Sequence, residues 1–323
     1  MKRVACLGRV SVALALSGAL YPSPSAAFLS GAACPYTTTD YATPDHAGYE
    51  MRRYPGEEFY YHDSSRRADP SFRDEPLVVL VAGIPEPHYF DALRALLLAA
   101  HYRVLILDLP GKQHTRLSGR PTADFIVDRF QKLWSRDFSA EKDFLIVGTS
   151  ISGPVTAMMA TRWRDQRPKL ALVSALGMPR EWPFVIRLGR IPLLSDLLAV
   201  FLLPRQVDDR WRNGELLCPQ NFPELFKRQE TEFRGGFARI NHLELPKALA
   251  LSDQTAVYQR LGRTEVPVML AYGDADPFSD QGPLIKAILP RARVATVTNA
   301  AHIVFVEQPV ETFDILHELM SSR

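Results

Sequence analysis

Cysteine is scarce. The chain carries three, Cys6, Cys34 and Cys218, in 323 residues, and no Cys-x-x-Cys pair. Neither a zinc-finger spacing nor a paired-thiol motif organises the sequence. Charge of one sign is also missing. The formal net charge is +2, with no basic repeat and no RNP-like aromatic motif. Without a basic field, nucleic acid is not an expected partner. The histidines lack paired ligand spacing and no glycine-rich phosphate loop is present, so no metal and no cofactor are expected. Internal repeats and low-complexity tracts are absent as well. At 46% hydrophobic and 23% charged, the composition is that of a globular chain.

No apolar run approaches the about 20 residues that a spanning helix needs. The run that comes nearest, VSVALALSGAL, follows Lys2, Arg3 and Arg9 and precedes Tyr21-Pro22-Ser23-Pro24. Ser25-Ala26-Ala27 then puts small residues at −3 and −1 of a cleavage after Ala27. This is the pattern of a signal peptide over 1–27, which predicts the secretory pathway or export. An uncleaved anchor, a lipid anchor at Cys34 and plastid import are the weaker alternatives. After cleavage Cys34 and Cys218 would remain, either as one disulfide in an oxidising compartment or as two free thiols.

Residues 28–50 read as an irregular polar tail. Beyond them, EEFYYHDSS could be an early strand. Leu77–Val81 and YRVLILDLPG are continuous apolar runs ended by glycine and proline, as expected of strands buried on both faces. Helical spacing covers 90–100 and 122–138. DFLIVG is a third buried strand, 151–164 a helix after it, and KLALVSA a fourth strand. The alternation resumes with VPVMLAYGDAD, a helix over 281–289, ARVATVTNAAH and a closing helix over 309–320. Alternating strands and helices predict an α/β fold, with helices flanking a mostly parallel sheet. Between 178 and 254 strand-like runs vanish, and IPLLSDLLAVFLLP is strongly apolar. That segment reads as a helical cap inserted between core parts 51–177 and 255–323, with Trp182, Leu194 and Leu198 as candidate substrate contacts. Packing of a cap helix on the core would explain the same leucines.

Acyl transfer from a hydroxyl needs a base, a group that orients the base, and N–H donors for the oxyanion. Candidates for each stand just beyond a strand, where sites form in an open parallel sheet. Ser150, in IVGTSISGPV, lies between a strand and a helix. Its neighbours Gly148, Ser152 and Gly153 are small enough for a strained elbow. His302 is the histidine between the final strand and final helix. Asp276 is the candidate orienter, in the loop AYGDADPFSD, which also offers Asp274 and Asp280; this loop is the better source because the preceding strand end has no acid before Glu181. The amides of Ile151 and of Ile84, after Gly83, are the candidate oxyanion donors.

Over nearly all of 50–320 the chain resembles the α/β-hydrolase superfamily. The residues that carry this are LVAGIP, LDLPG, GTSISG, YGDADP and AAHIVFVEQPVETF. The resemblance implies Ser150 as nucleophile, His302 as base and Asp276 as acid. In the family's Gly-Asp-x-Asp pattern the second aspartate is the one used. Two positions depart from it. Ala82 stands where a histidine is usual before Gly83, and Ser152 where the elbow usually has glycine. A serine nucleophile speaks against epoxide hydrolases and haloalkane dehalogenases, whose relatives carry aspartate there. The cap is loosely similar to those of monoacylglycerol-lipase-like members. The implied activity is hydrolysis of a carboxylic ester with an apolar acyl group. A C–C bond hydrolase, a cofactor-free perhydrolase and a non-catalytic binding protein are the alternatives. The expected partner is a small ester or lipid-like molecule, and peripheral membrane contact through the apolar cap is a minor reading.

Overall fold

The computed structural model describes residues 51–57, 59–64, 74–83, 87–110, 121–179, 245, 248–249 and 252–322. The leader, the 28–50 tail, Ile84, Trp182, Leu194, Leu198 and most of the 178–254 segment lie outside these residues.

Eight strands form one sheet in the order β1-β2-β4-β3-β5-β6-β7-β8. They are β1 (Arg52–Arg53), β2 (Tyr60–Asp63), β3 (Leu77–Val81), β4 (Arg103–Leu107), β5 (Leu145–Thr149), β6 (Lys169–Val173), β7 (Val268–Gly273) and β8 (Arg293–Val297). The first two pair antiparallel and β2 joins β4 antiparallel. All later neighbours are parallel. The mostly parallel sheet is thus present, with an antiparallel edge built from the N-terminal hairpin.

Alternation along each strand splits the core in two. Leu77, Val79 and Val81 of β3 join one apolar cluster with Ile146, Leu172 and Leu270. Val78 and Leu80 join the other with Val147, Val173 and Ala271. This is the two-residue period of a strand with both faces covered. Helices α2 (Ala123–Asp137), α3 (Gly153–Arg162), α4 (Thr255–Gly262) and α5 (Gln281–Ile288) contribute to the first cluster. Helices α1 (Asp91–Ala99), α6 (Val304–Glu307) and α7 (Pro309–Ser321) contribute to the second. Met178, Leu245 and Leu249, which belong to the 178–254 segment, are buried in the first cluster.

Local chemistry fixes the helix ends. The Thr122 hydroxyl accepts from the Phe125 N–H at 3.2 Å and caps α2. Lys169 donates to the carbonyls of Leu319, Met320 and Ser322. It thereby satisfies acceptors that the last turn of α7 leaves open. Trp134 of α2 stacks on Trp163, centroids 4.1 Å apart, holding α2 against α3. The helix expected over 151–164 begins later. Ser150–Ser152 form a 3-10 turn, and α3 starts at Gly153 with a proline in its first turn.

Candidate active site

The site is assembled at the carboxyl ends of β5, β7 and β8. Ser150 follows β5 directly and has φ 52°, a left-handed conformation rare for a residue with a side chain. Its surroundings explain how the strain is held. A Cβ on Gly148 would lie 1.9 Å from Thr156 Oγ1. One on Gly153 would lie 2.8 Å from Ala175 Cβ and 2.9 Å from the Tyr258 hydroxyl. Glycine at both positions lets α3 close onto the end of β5. The Leu176 N–H donates to the Ser150 carbonyl at 3.0 Å. Two buried tyrosines hold that same loop after β6: Tyr258 donates to the Leu176 carbonyl at 2.6 Å and Tyr272 to the Ala175 carbonyl at 2.8 Å. Burial pushes both phenols well above their ordinary range, so they remain donors.

Ser150, His302 and Asp276 form one hydrogen-bonded chain. His302 Nε2 is 3.0 Å from Ser150 Oγ, and His302 Nδ1 is 3.0 Å from Asp276 Oδ1. A carboxylate can only accept, so Nδ1 carries the proton and Nε2 is left to accept from the serine hydroxyl. Asp276 is fully enclosed at its side chain and also takes the Phe278 N–H at 2.9 Å. The Phe278 ring meets the His302 ring edge-on at 5.0 Å. All three polar residues are buried, with Ser150 and His302 each 6% exposed.

The loops that present the acid and the histidine lie backbone to backbone. A Cβ on Gly273 would fall 2.2 Å from the Ala300 carbonyl oxygen and 2.3 Å from that of Ala301. The Asp274 carboxylate accepts the N–H groups of Asn299 and Ala300, at 3.1 and 3.2 Å. Glu307, fully buried, accepts the Ala301 N–H at 2.7 Å. Asp274 therefore ties the histidine loop in place and does not touch the imidazole nitrogens. Asp280 precedes α5. Glu307, Tyr258 and Tyr272 received no role from the sequence, and Asp274 only that of an alternative orienter. Asp274, Glu307 and Tyr272 lie inside the motifs YGDADP and AAHIVFVEQPVETF, but Tyr258 carries no local signal.

Of the two candidate oxyanion donors, Ile151 is buried in the 3-10 turn immediately after Ser150. The Gly83 N–H donates to Thr149 Oγ1 at 3.1 Å. That amide is committed to the elbow, and the next along the chain is that of Ile84, outside the described residues. Gly148, Ser152 and Gly153 all lie within three residues of Ser150, at the end of β5, in the 3-10 turn and at the start of α3. Among the described residues no group of three histidine, cysteine or acidic side chains is placed to hold a metal ion.

An open parallel sheet with a strained serine between strand and helix, and Asp and His loops after the last two strands, defines a fold class that sequence comparison also finds. The model described as the alpha/beta hydrolase family matches residues 78–315. The chain belongs to the α/β hydrolase family. It is 21% identical over 237 residues to mouse monoacylglycerol lipase ABHD6, covering 70% of this chain and 69% of that protein. It is 27% identical over 187 residues to a putative 2-succinyl-6-hydroxy-2,4-cyclohexadiene-1-carboxylate synthase of Bacillus subtilis (strain 168), covering 55% of this chain and 65% of that protein. Among solved structures, a bromoperoxidase from Bacillus anthracis superposes with a TM-score of 0.66 at 17% identity. That match spans 85% of this chain and all of the other, and at such identity it speaks for the fold alone.

Proposed function

We propose that the protein is a serine hydrolase of carboxylic esters that works through an acyl-enzyme on Ser150. The observation that carries this is the chain Ser150 Oγ–His302 Nε2 and His302 Nδ1–Asp276 Oδ1, with 3.0 Å at each link. His302 takes the hydroxyl proton as Ser150 Oγ bonds to the ester carbonyl carbon. The carbonyl oxygen, now negative, is met by the amides of Ile151 and Ile84. Collapse expels the alcohol, which leaves with the proton from His302. A water, deprotonated by the same imidazole, then attacks the acyl-enzyme and frees the acid. Asp276 holds the tautomer and stabilises the imidazolium.

An apolar acyl group is part of the proposal. It rests on the run from Ile191 to Leu203 and is supported by the likeness to a monoacylglycerol lipase. Trp182, Leu194 and Leu198 are the residues proposed to meet it. Export is proposed from the leader; mass spectrometry of the mature chain should find Phe28 first.

The test is hydrolysis of p-nitrophenyl esters of increasing acyl length, with Ser150→Ala beside the parent. Turnover should rise toward medium or long chains. It should fall in the variant by about 10⁴-fold or more, as for loss of a nucleophile that acts with its base as a unit. Equal activity in Ser150→Ala would refute the assignment. A parent that a fluorophosphonate labels at Ser150 but that cleaves no ester would turn the same three residues to C–C hydrolysis or perhydrolysis.

A further inference from the structure

Two hydroxyls beside the nucleophile join the elbow to the strand that carries the oxyanion loop. Ser152 is fully buried and Thr149 is 2% exposed. Ser152 Oγ accepts the Thr149 N–H at 2.7 Å, and the carbonyls of Val81 and Thr149 each lie 2.8 Å from it as acceptors for its one proton. Thr149 Oγ1 accepts the Gly83 N–H at 3.1 Å and reaches the Val81 carbonyl at 3.3 Å. The two residues also cap one another across the turn that holds Ser150. β3 ends at Val81, so its last carbonyl is taken up by side chains of the elbow. The backbones are in direct apposition there: a Cβ on Gly83 would fall 2.5 Å from the Thr149 carbonyl oxygen and 3.1 Å from Ser150 Cβ.

Glycine at position 152 would supply none of this. With glycine, the contacts made by Ser152 Oγ to Val81 and Thr149 would be lost. Alanine at 82 likewise brings no polar side chain to the oxyanion strand. We propose that Ser152 and Thr149 are positioning residues that hold the turn of Ser150, and with it the Ile151 amide, by bracing that turn against the end of β3 and Gly83. The proposal rests on the reading of Ser150 as nucleophile and adds how this chain holds that turn. An oxyanion hole is a matter of geometry fixed before reaction, and a displacement of about 1 Å costs on the order of a hundredfold in rate.

The test compares the parent with Ser152→Gly, Thr149→Val and Thr149→Ser. Two quantities are read: the rate constant for phosphonylation by a fluorophosphonate, and kcat and KM on a short p-nitrophenyl ester. Circular dichroism and thermal melts establish that each protein is folded at the assay temperature. Ser152→Gly and Thr149→Val should each lose about tenfold to a hundredfold in phosphonylation rate and in kcat, with KM within about twofold. Thr149→Ser keeps the hydroxyl and should stay within about threefold of the parent. Folded Ser152→Gly and Thr149→Val proteins that react as fast as the parent overturn the proposal and leave the nucleophile untouched. If Ser152→Gly does not fold, the Thr149 pair decides: Val equal to Ser overturns the proposal, and Val slow with Ser fast supports it. A parent that does not label overturns both this proposal and the reading of Ser150. A parent that labels without cleaving esters overturns ester hydrolysis alone, and the phosphonylation rates still decide the bracing role.

Discussion

At the scale of single residues, the acid loop poses the sharpest question, because two aspartates stand two positions apart. The structure separates them by what they touch. Asp276 Oδ1 faces His302 Nδ1, while the Asp274 oxygens are committed to the backbone of Asn299 and Ala300. Asp276→Asn should leave the fold intact and lower kcat by about 10³- to 10⁴-fold, because an amide favours the wrong imidazole tautomer. Asp274→Asn should act differently. It weakens an exposed acceptor of two loop amides, so it should cost about 0.5 to 1.5 kcal/mol of stability and far less in rate. Steady-state kinetics beside thermal melts of the two variants check this. The reverse pattern would move the orienting role to Asp274.

At the scale of elements, the antiparallel hairpin β1–β2 must be fastened to a sheet that is otherwise parallel. Glu57 does this from the turn between the strands. It is buried, and it pairs with Arg129 at 2.8 Å and with Lys132, one helical turn apart on α2. Phe59 meets Phe130 edge-on just beside them. Burial alone would raise the Glu57 carboxyl, but the bonds from Lys132 and Arg129 outweigh it and hold the group below its ordinary value of 4.5. A carboxyl lowered in the folded state adds stability above its unfolded value, and that stability is lost as pH falls through the folded value. Glu57→Gln should therefore cost about 1 to 3 kcal/mol near pH 7. The gap to the parent should narrow below about pH 4, read as melting temperatures across pH. A gap independent of pH would mean that shape, not charge, fastens the hairpin. The hairpin also shows where sequence reading stops. The buried strands are legible because five apolar residues in a row have few other uses. β1 is two arginines and carries no such signal. Helix α4 is eight residues long with no side-chain cap, and it follows the inserted segment, so its periodicity is lost against that background. The same division holds at the site. Ser150, Asp276 and His302 are legible because each stands just beyond a strand, in a fixed order along the chain. The Tyr258 and Ser152 contacts arise only when elements distant in sequence meet.

At the scale of the molecule, one sheet is made from two stretches of chain with a long segment between them. β6 ends the first stretch, and β7 beside it belongs to the second. The ends of the intervening segment are held together. The Gln254 N–H donates to the Gly177 carbonyl at 2.8 Å. Gly177 has φ +116°, and a Cβ there would meet Pro154 Cγ at 2.8 Å and Gln254 Cγ at 3.0 Å. The Met178 N–H is taken by the Gln281 side chain at 2.9 Å, and Leu245 and Leu249 pack into the core beside Met178. The segment thus leaves the sheet and returns to it at one point, and the site contacts described above come from outside 180–243. Loop length costs little once the ends are fixed, about 0.6 kcal/mol per doubling. Replacing 180–243 by a short Gly/Ser linker, with Leu245 and Leu249 retained, should leave a cooperative melt. A fluorophosphonate should still label Ser150, and labelling should vanish on adding Ser150→Ala. A linker protein that melts cooperatively but no longer labels would show that the segment helps to build the surroundings of Ser150. A protein that no longer melts cooperatively would show that the sheet needs the segment to close its own core.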